Sequence, residues 1–432
     1  MAKMTSILHM TAHLGGGVGK AISNVIVSAV KNHSSFKHSL VLLDQPKQSE
    51  YLDELCKDSI EVVIAPSFEE LVCLIDRCSI LQVEWWNHPK MIEALCLLRN
   101  IEKRAVFWSH TSGLFEQIIP VKLLEAPNHF VFTSRCSEAL LTTPLLEGKK
   151  INASVISSAV GISELPERLR TRGKSLKIGY VGTLDYSKFF EDFVDWASEI
   201  PSEALPIKLI GDGPNRDDIA KQANNVGNPK LFDFVGYSSS VTEELLALDI
   251  FLYLLNPRHY GTAENALVEA MACGAVPIVL PNPAELCIVK HGKSGVVVSS
   301  KEELLEWVVR LSNDPTLLNN LSVNASKSVR ANFSTDQTVR SWEHVYGGVM
   351  NEKPRKFNFC DSFGERPIDW FLSCRADKEY LTSGVSRDVS KRDSSPRQTR
   401  SKGSIGQFLE YYPNDPELLR HYHSFVSVNT DR

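Results

Sequence analysis

Short runs of apolar and β-branched residues alternate with longer segments whose apolar positions recur every three or four residues, up to about residue 350. In the first half the runs are Ser6–Met10, Ser39–Leu43, Glu61–Ala65, Leu81–Glu84, Ala105–Trp108, Phe130–Thr133 and Ser154–Ser157. They are near-continuously apolar rather than alternating, the pattern of strands covered on both faces in a parallel sheet. A polar, basic stretch at 166–177 (PERLRTRGKSLK) interrupts the pattern, which restarts with Ile178–Val181, Ile207–Ile210, Phe232–Val235, Ile250–Leu254 and Val276–Leu280. Between the first two of these, Phe189, Phe193, Trp196, Ala197 and Ile200 predict a helix over Lys188–Ile200. The chain therefore predicts two α/β domains in series: 1–165, a linker at 166–177, and 178–350. No short-period repeat is visible.

Residues 351–432 read differently, as a helical and disordered extension. Segment 385–402 carries six basic and two acidic residues with almost no apolar side chains, which predicts a disordered cationic tether. After it, residues 404–425 regain aromatics, enough to dock as short helices or to meet a partner or membrane surface.

Composition narrows the function classes. The 432 residues are 43% hydrophobic and 23% charged, average for a folded soluble protein. A net charge of −5 is a poor basis for sequence-independent nucleic-acid binding, so no nucleic-acid partner is expected. The longest apolar stretches, such as Ile250–Leu255, are far short of the ~20 residues that span a bilayer. The N-terminus enters a strand-like segment with no signal-peptide pattern. Nine cysteines without a C-x-x-C pair, several in apolar surroundings (Cys73, Cys96, Cys273), suit reduced thiols in a cytoplasmic protein.

Three places can carry chemistry. Residues 13–20 (HLGGGVGK) join the first strand to the helical pattern of Ala21–Val30. Glycines at such a turn, Gly15, Gly16 and Gly17 here, let backbone N–H groups approach a phosphate or sugar. The spacing is neither a Walker loop nor G-x-G-x-x-G, and a tight turn without ligand is the plain alternative. A second cluster stands at two strand ends: Glu84, Trp85, Trp86 and His88, then Ser109, His110 and Thr111. Ligands of open parallel sheets bind at such ends. His110 there is either a satisfied structural residue or a donor to a substrate hydroxyl. Trp85 and Trp86 are either core or, with His88, an acceptor-side platform for a sugar ring. The third place is HYGTAENALVEAMACGAVPIVLPNP, residues 259–283, a turn, a helix over Asn265–Met271, and Gly274 as its C-cap before the next strand. The helix N-terminus suits a diphosphate, and Glu269, one turn in, can accept from a ribose diol. An ordinary solvated carboxylate is the alternative for Glu269.

In order along the chain, the glycine loop, the strand-end His, G-x-L-x-x-x-K at 182–188, I-G-D-G-P at 210–214, the F-x-G strand end and E-A-M-A-x-G followed by Pro resemble the retaining GT-B glycosyltransferases. The family is that of glycosyl transferases group 1, glycosyltransferase family 4 and its relatives. The resemblance covers about residues 5–350 and is strongest over 176–335. It implies two Rossmann-like domains facing across a cleft, with a helix after residue 335 crossing back onto the first. It implies transfer of a sugar from a nucleotide-diphosphate donor to an acceptor hydroxyl with retention, the acceptor being a glycan, a lipid-linked sugar or a protein. By it, His110 matches the catalytic-site His, Lys188 the basic residue on the donor diphosphate, and Glu269 the second, ribose-binding Glu of E-x7-E. Gly15–Gly17, Gly213, Thr262, Glu264, Asn265, Ala266 and Leu267 would line the donor. No cofactor or metal is implied beyond the sugar nucleotide, and no cluster with metal-ligand spacing is visible in the sequence. The chain departs from the pattern at Gly261, where the first motif Glu would stand, and at Thr183, where relatives carry Arg; Glu264 is the nearest acidic substitute. Those departures keep open a non-catalytic sugar-nucleotide-binding or partner subunit, and the shared two-domain plan keeps open a GT-B sugar-nucleotide epimerase or a phosphorylase. A peripheral membrane contact through the tail is a further expectation.

Overall fold

The computed structural model describes residues 5–46, 50–167, 176–375 and 401–427. The expected tether at 385–402 lies outside these residues except for Ser401 and Lys402, as does most of the expected linker at 166–177. The chain forms two units: residues 1–160 with 260–263 and 335–432, and residues 161–259 with 264–334.

The first unit is built on strands β1 (Thr5–Thr11), β2 (Phe36–Leu42), β3 (Glu61–Ile64), β4 (Ile80–Trp85), β5 (Glu102–Ser109), β6 (His129–Phe132) and β7 (Ala153–Val155). They pair in parallel in the order β3-β2-β1-β4-β5-β6-β7. The second unit has β8 (Ile178–Val181), β9 (Ile207–Ile210), β10 (Phe232–Gly236), β11 (Ile250–Tyr253), β12 (Val276–Val279) and β13 (Val296–Val297), in the order β10-β9-β8-β11-β12-β13. Both orders reverse direction beside the first strand of the unit, the doubly wound plan whose switch point opens a crevice at the strand C-termini. In the first unit that point lies between β1 and β4; in the second it lies between β8 and β11.

Burial explains why the strands were legible. Ile250, Phe251 and Leu252 of β11 and Val276, Ile278 and Val279 of β12 are all fully buried, as strands with helices on both faces must be. Three differences are informative. Only Phe193–Ser198 of the expected helix Lys188–Ile200 is helical, because Lys188 and Phe189 both donate their N–H to Asp185 O and close a turn instead. The two-residue β13 and the Arg355–Lys356 pairing with β5 (β14) are too short to leave a sequence signal. Cys73 is exposed rather than in an apolar interior, while Cys78, Cys96, Cys273 and Cys374 are buried; all nine cysteines are free thiols.

Helix Thr335–Met350 groups with the first unit, not with residues 178–334, and lays Trp342, Val345, Tyr346 and Val349 against Ile7, Val106 and Trp108. The extension also packs on the first unit. Phe363, Phe371, Phe408 and Leu418 are nearly or fully buried in the core that contains Trp85 and Phe107. Burying each such side chain stabilises by about 1.5–3 kcal/mol, so helices Ile405–Tyr411 and Pro416–Ser427 are held as part of the fold. Among the described residues no helix is long and apolar enough to cross a membrane.

Candidate functional site

In the second unit the loop after β8 turns tightly through Asp185, whose Oδ1 accepts the Ser187 N–H at 2.9 Å. The I-G-D-G-P loop after β9 packs backbone-to-backbone on it. A Cβ at Gly213 would lie 2.4 Å from Leu184 O, so only glycine fits there. Gly213 thus serves the loop's close packing. The turn presents Lys188, whose Nζ stands 2.9 Å from Glu264 Oε2.

Glu264 is the residue before helix Asn265–Ala272 and has a left-handed backbone, φ 44° and ψ 53°. For a side chain other than glycine this costs of order 1–2 kcal/mol. The strain is offset by what the carboxylate meets. It is fully buried, accepts the Tyr253 hydroxyl at 2.6 Å and has His259 Nδ1 at 3.8 Å. His259 in turn bridges to Glu285 at 3.2 Å, and Asn282 donates to Glu285 at 3.0 Å. Burial would raise the Glu264 carboxyl, but Lys188, His259 and the Tyr253 hydroxyl outweigh it and hold it below the usual range. Burial would lower His259, but Glu285 and then Glu264 outweigh it and leave the imidazole raised. Tyr253 is pushed well above its ordinary value by burial and by Glu264.

The ion pair fixes the Lys188 ammonium beside the start of helix Asn265–Ala272, with a quarter of the side chain exposed. Helix Asn265–Ala272 turns the positive end of its dipole to the same place. An ammonium and a helix N-terminus side by side form an anion site. At the other end Gly274, at φ 85°, lets Ala275 N–H return to Ala270 O at 2.9 Å, and Arg330 donates to Ala272 O at 3.1 Å, closing the negative end of the helix. Glu269 is half-buried one turn into this helix.

In the first unit Glu84, on β4, is fully buried and reaches His110 just beyond β5, with Oε2 3.0 Å from Nε2. The His110 backbone N–H donates to Trp85 O at 2.7 Å, locking the position of the residue. Gly15 precedes helix Gly16–Lys31, and Gly16 and Gly17 are exposed at its start. Of the aromatic residues weighed as an acceptor platform, Trp85 is fully buried and stacked on Phe363 at 5.3 Å, a core position. Trp86 is 4% exposed, with the Lys402 ammonium 5.5 Å over its ring. His88 is fully buried and caps helix Pro89–Leu97 by accepting the Lys90 N–H, and its Nε2 meets the Tyr411 hydroxyl at 3.2 Å. Thr262 groups with this unit rather than with Lys188, its hydroxyl 3.2 Å from that of Thr133.

The structure therefore joins Lys188, Glu264, Asn265, Ala266, Leu267 and Glu269 in one unit, and sets His110 on Glu84 in the other. Sequence reasoning gave no role to Tyr253, His259 and Glu285, or to His9, His38 and Gln82 around Glu84. The signal they left is a polar residue inside or just beyond an otherwise apolar strand.

Two doubly wound parallel sheets, one in each unit, are the GT-B fold, and solved structures share it. Anabaena HepE, determined in complex with UDP and glucose, superposes with a TM-score of 0.64 at 14% identity, over 80% of this chain and 100% of that one. Residues 161–328 match the family model of glycosyl transferases group 1. The N-acetyl-alpha-D-glucosaminyl L-malate synthase of Bacillus anthracis is 27% identical over 169 residues, 38% of this chain and 43% of that protein. The alpha-monoglucosyldiacylglycerol synthase of Acholeplasma laidlawii is 26% identical over 168 residues, 39% of this chain and 41% of that protein. The matched region spans less than half the length of these two relatives.

Proposed function

We propose that the chain is a glycosyltransferase that moves a sugar from a nucleotide-diphosphate donor to an acceptor hydroxyl with retention of configuration. The observation that carries this reading is the Lys188–Glu264 pair, which fixes an ammonium beside the N-terminus of helix Asn265–Ala272. Breaking the glycosidic bond to a diphosphate leaves negative charge on the departing oxygens, and a preorganised cation and helix dipole stabilise that charge without reorganisation. Lys188 takes the diphosphate and Glu269 accepts from the ribose hydroxyls. His110 serves the transferred sugar, as the resemblance implies. The charge is met by protein groups, so the reaction needs no metal, and turnover in the presence of a chelator checks this. Nine free thiols suit a reducing compartment, so we place the activity in the cytoplasm. Contact of the cationic stretch 385–402 with an anionic membrane surface belongs to the same reading and is read by vesicle sedimentation.

Calorimetric titration with UDP, GDP and ADP is the test. One of them is expected to bind, and Glu269→Ala to weaken it by roughly ten- to a hundredfold, the loss of charged hydrogen bonds worth ~1.5–3 kcal/mol. His110→Ala should leave that affinity nearly intact and depress turnover. Binding of none of the three, or unchanged affinity in a folded Glu269→Ala variant, would overturn the donor site. A second reading is favoured by one observation: Glu264 neutralises Lys188, as suits a subunit that binds a sugar nucleotide without turning it over. Binding of a nucleotide without its release from any of its sugar conjugates would select it.

A further inference from the structure

Glu84 is a carboxylate with no exposure, and among the described residues every side chain that hydrogen-bonds to it is a histidine or an amide. Oε2 faces His110 Nε2 at 3.0 Å; Oε1 accepts from Gln82 Nε2 at 2.9 Å and faces His9 Nδ1 at 2.8 Å. The network continues outward. His9 Nε2 lies 2.9 Å from His38 Nδ1, and the Tyr346 hydroxyl donates to Gln82 Oε1 at 2.6 Å. Burial would raise the Glu84 carboxyl, but the hydrogen bonds and charges of His110 and His9 outweigh it and keep it ionised. Burial and the neighbouring His9 push His38 down to about 3, so that ring stays neutral.

An ionised carboxylate only accepts hydrogen bonds, which fixes the proton positions. His110 must carry hydrogen on Nε2 and His9 on Nδ1. A neutral His9 then accepts at Nε2 from His38 Nδ1–H. All these donors point towards Glu84. Among the described residues His110 Nδ1 makes no hydrogen bond, so its lone pair is the one turned to other work. Burying a carboxylate costs several kcal/mol unless it is fully hydrogen-bonded, and apolar residues would fill the same space at no such cost.

We propose that Glu84 is the positioning residue for His110: it holds the ring in the Nε2–H tautomer and leaves Nδ1 to accept from a substrate hydroxyl, while His9, braced by His38, and Gln82 fix the carboxylate in place. A carboxylate that orients a working histidine is a general device of acid–base sites. The role of His110 rests on the glycosyltransferase reading; its tautomer does not.

The test has two arms. Long-range proton–nitrogen NMR on histidine-labelled full-length protein, with the His110 signal assigned by its loss in His110→Ala, is expected to show the Nε2–H tautomer at neutral pH. In Glu84→Gln an amide N–H can face His110 Nε2, so the tautomer is expected to switch to Nδ1–H. The second arm is UDP release from UDP-glucose and UDP-N-acetylglucosamine. Glu84→Gln is expected to lower kcat about a hundredfold or more, with the KM for the sugar nucleotide changed by less than about threefold. An Nδ1–H tautomer in the wild-type protein overturns the proposal, and that measurement needs no folded variant at position 84. Unchanged kcat in a folded Glu84→Gln protein also overturns it. If no sugar conjugate of the nucleotide that binds turns over while the NMR result holds, the glycosyltransferase reading fails and the positioning of His110 stands.

Discussion

Glu84, on strand β4, and Glu264, the residue before helix Asn265–Ala272, are each a carboxylate without side-chain exposure, one in each doubly wound unit. Their neutralisation differs. Glu264 meets the permanent cation of Lys188 and the raised imidazole of His259, whereas Glu84 meets only histidines and Gln82. The first arrangement builds a charged wall that an anion can lean on. The second builds a carboxylate that fixes which ring nitrogens of its partners carry hydrogen. Similar topology thus yields an electrostatic site in one unit and an orienting site in the other, and the choice of partner cation makes the difference.

Removing the permanent cation should have the largest effect. Lys188→Met leaves Glu264 buried without its strongest partner, and breaking one side of such a pair costs about 2–4 kcal/mol. Turnover of a UDP-sugar is expected to fall at least a hundredfold, since the diphosphate loses its ammonium. The double variant Lys188→Met, Glu264→Gln separates the two roles. Chemical denaturation should show most of the lost stability restored, while turnover stays low. Stability equally low in both variants would mean that the pair is not what Glu264 relies on.

Glu264→Gln alone should act in the opposite direction on binding. Removing a carboxylate 2.9 Å from Lys188 leaves more of the ammonium's field for an incoming diphosphate. Nucleotide affinity is expected to tighten about three- to tenfold, measured by calorimetry at low salt, with the gain shrinking as ionic strength rises. A loss of affinity would show that Glu264 acts mainly by aiming Lys188, and the contrast with Glu84 would then weaken, since both carboxylates would be orienting groups.

Much of this was legible in the sequence for identifiable reasons. Strands such as Ile178–Val181 and Ile207–Ile210 were readable because both faces are covered, which leaves an unbroken apolar run. Gly274 was readable because a helix C-terminus with this geometry admits little else. Lys188 and Glu264 were each visible, but not their pairing, which depends on the turn at Asp185 and the left-handed backbone of Glu264 bringing separate loops together. The Glu84 cluster was harder still. His9, His38 and Gln82 come from three strands that are neighbours only in the folded sheet, and nothing within any one strand shows that the three meet. Trp85 and Trp86 are adjacent, yet one stacks on Phe363 in the core and the other lies under Lys402; strand alternation separates them, and no local pattern tells which is which.

The smallest effect concerns pH, and it distinguishes the two clusters by sign. The folded value of His259 is raised above its ordinary 6.5 by Glu285 and Glu264 acting against burial. The stability it contributes is therefore complete below pH 6.5 and is lost as the pH climbs through the raised folded value. Glu84 and Glu264 are both depressed below the ordinary 4.5, so their contribution is present above that value and is lost as the pH falls through the depressed folded values. Denaturant midpoints followed from pH 5 to pH 9 should decline on the alkaline side in the wild-type protein. His259→Gln should start less stable at pH 5 and show a flatter alkaline limb, converging on the wild type once the imidazole is deprotonated in both states. Parallel alkaline limbs in wild type and His259→Gln would show that His259 is not a charged partner of Glu264, leaving Lys188 alone to set the two clusters apart.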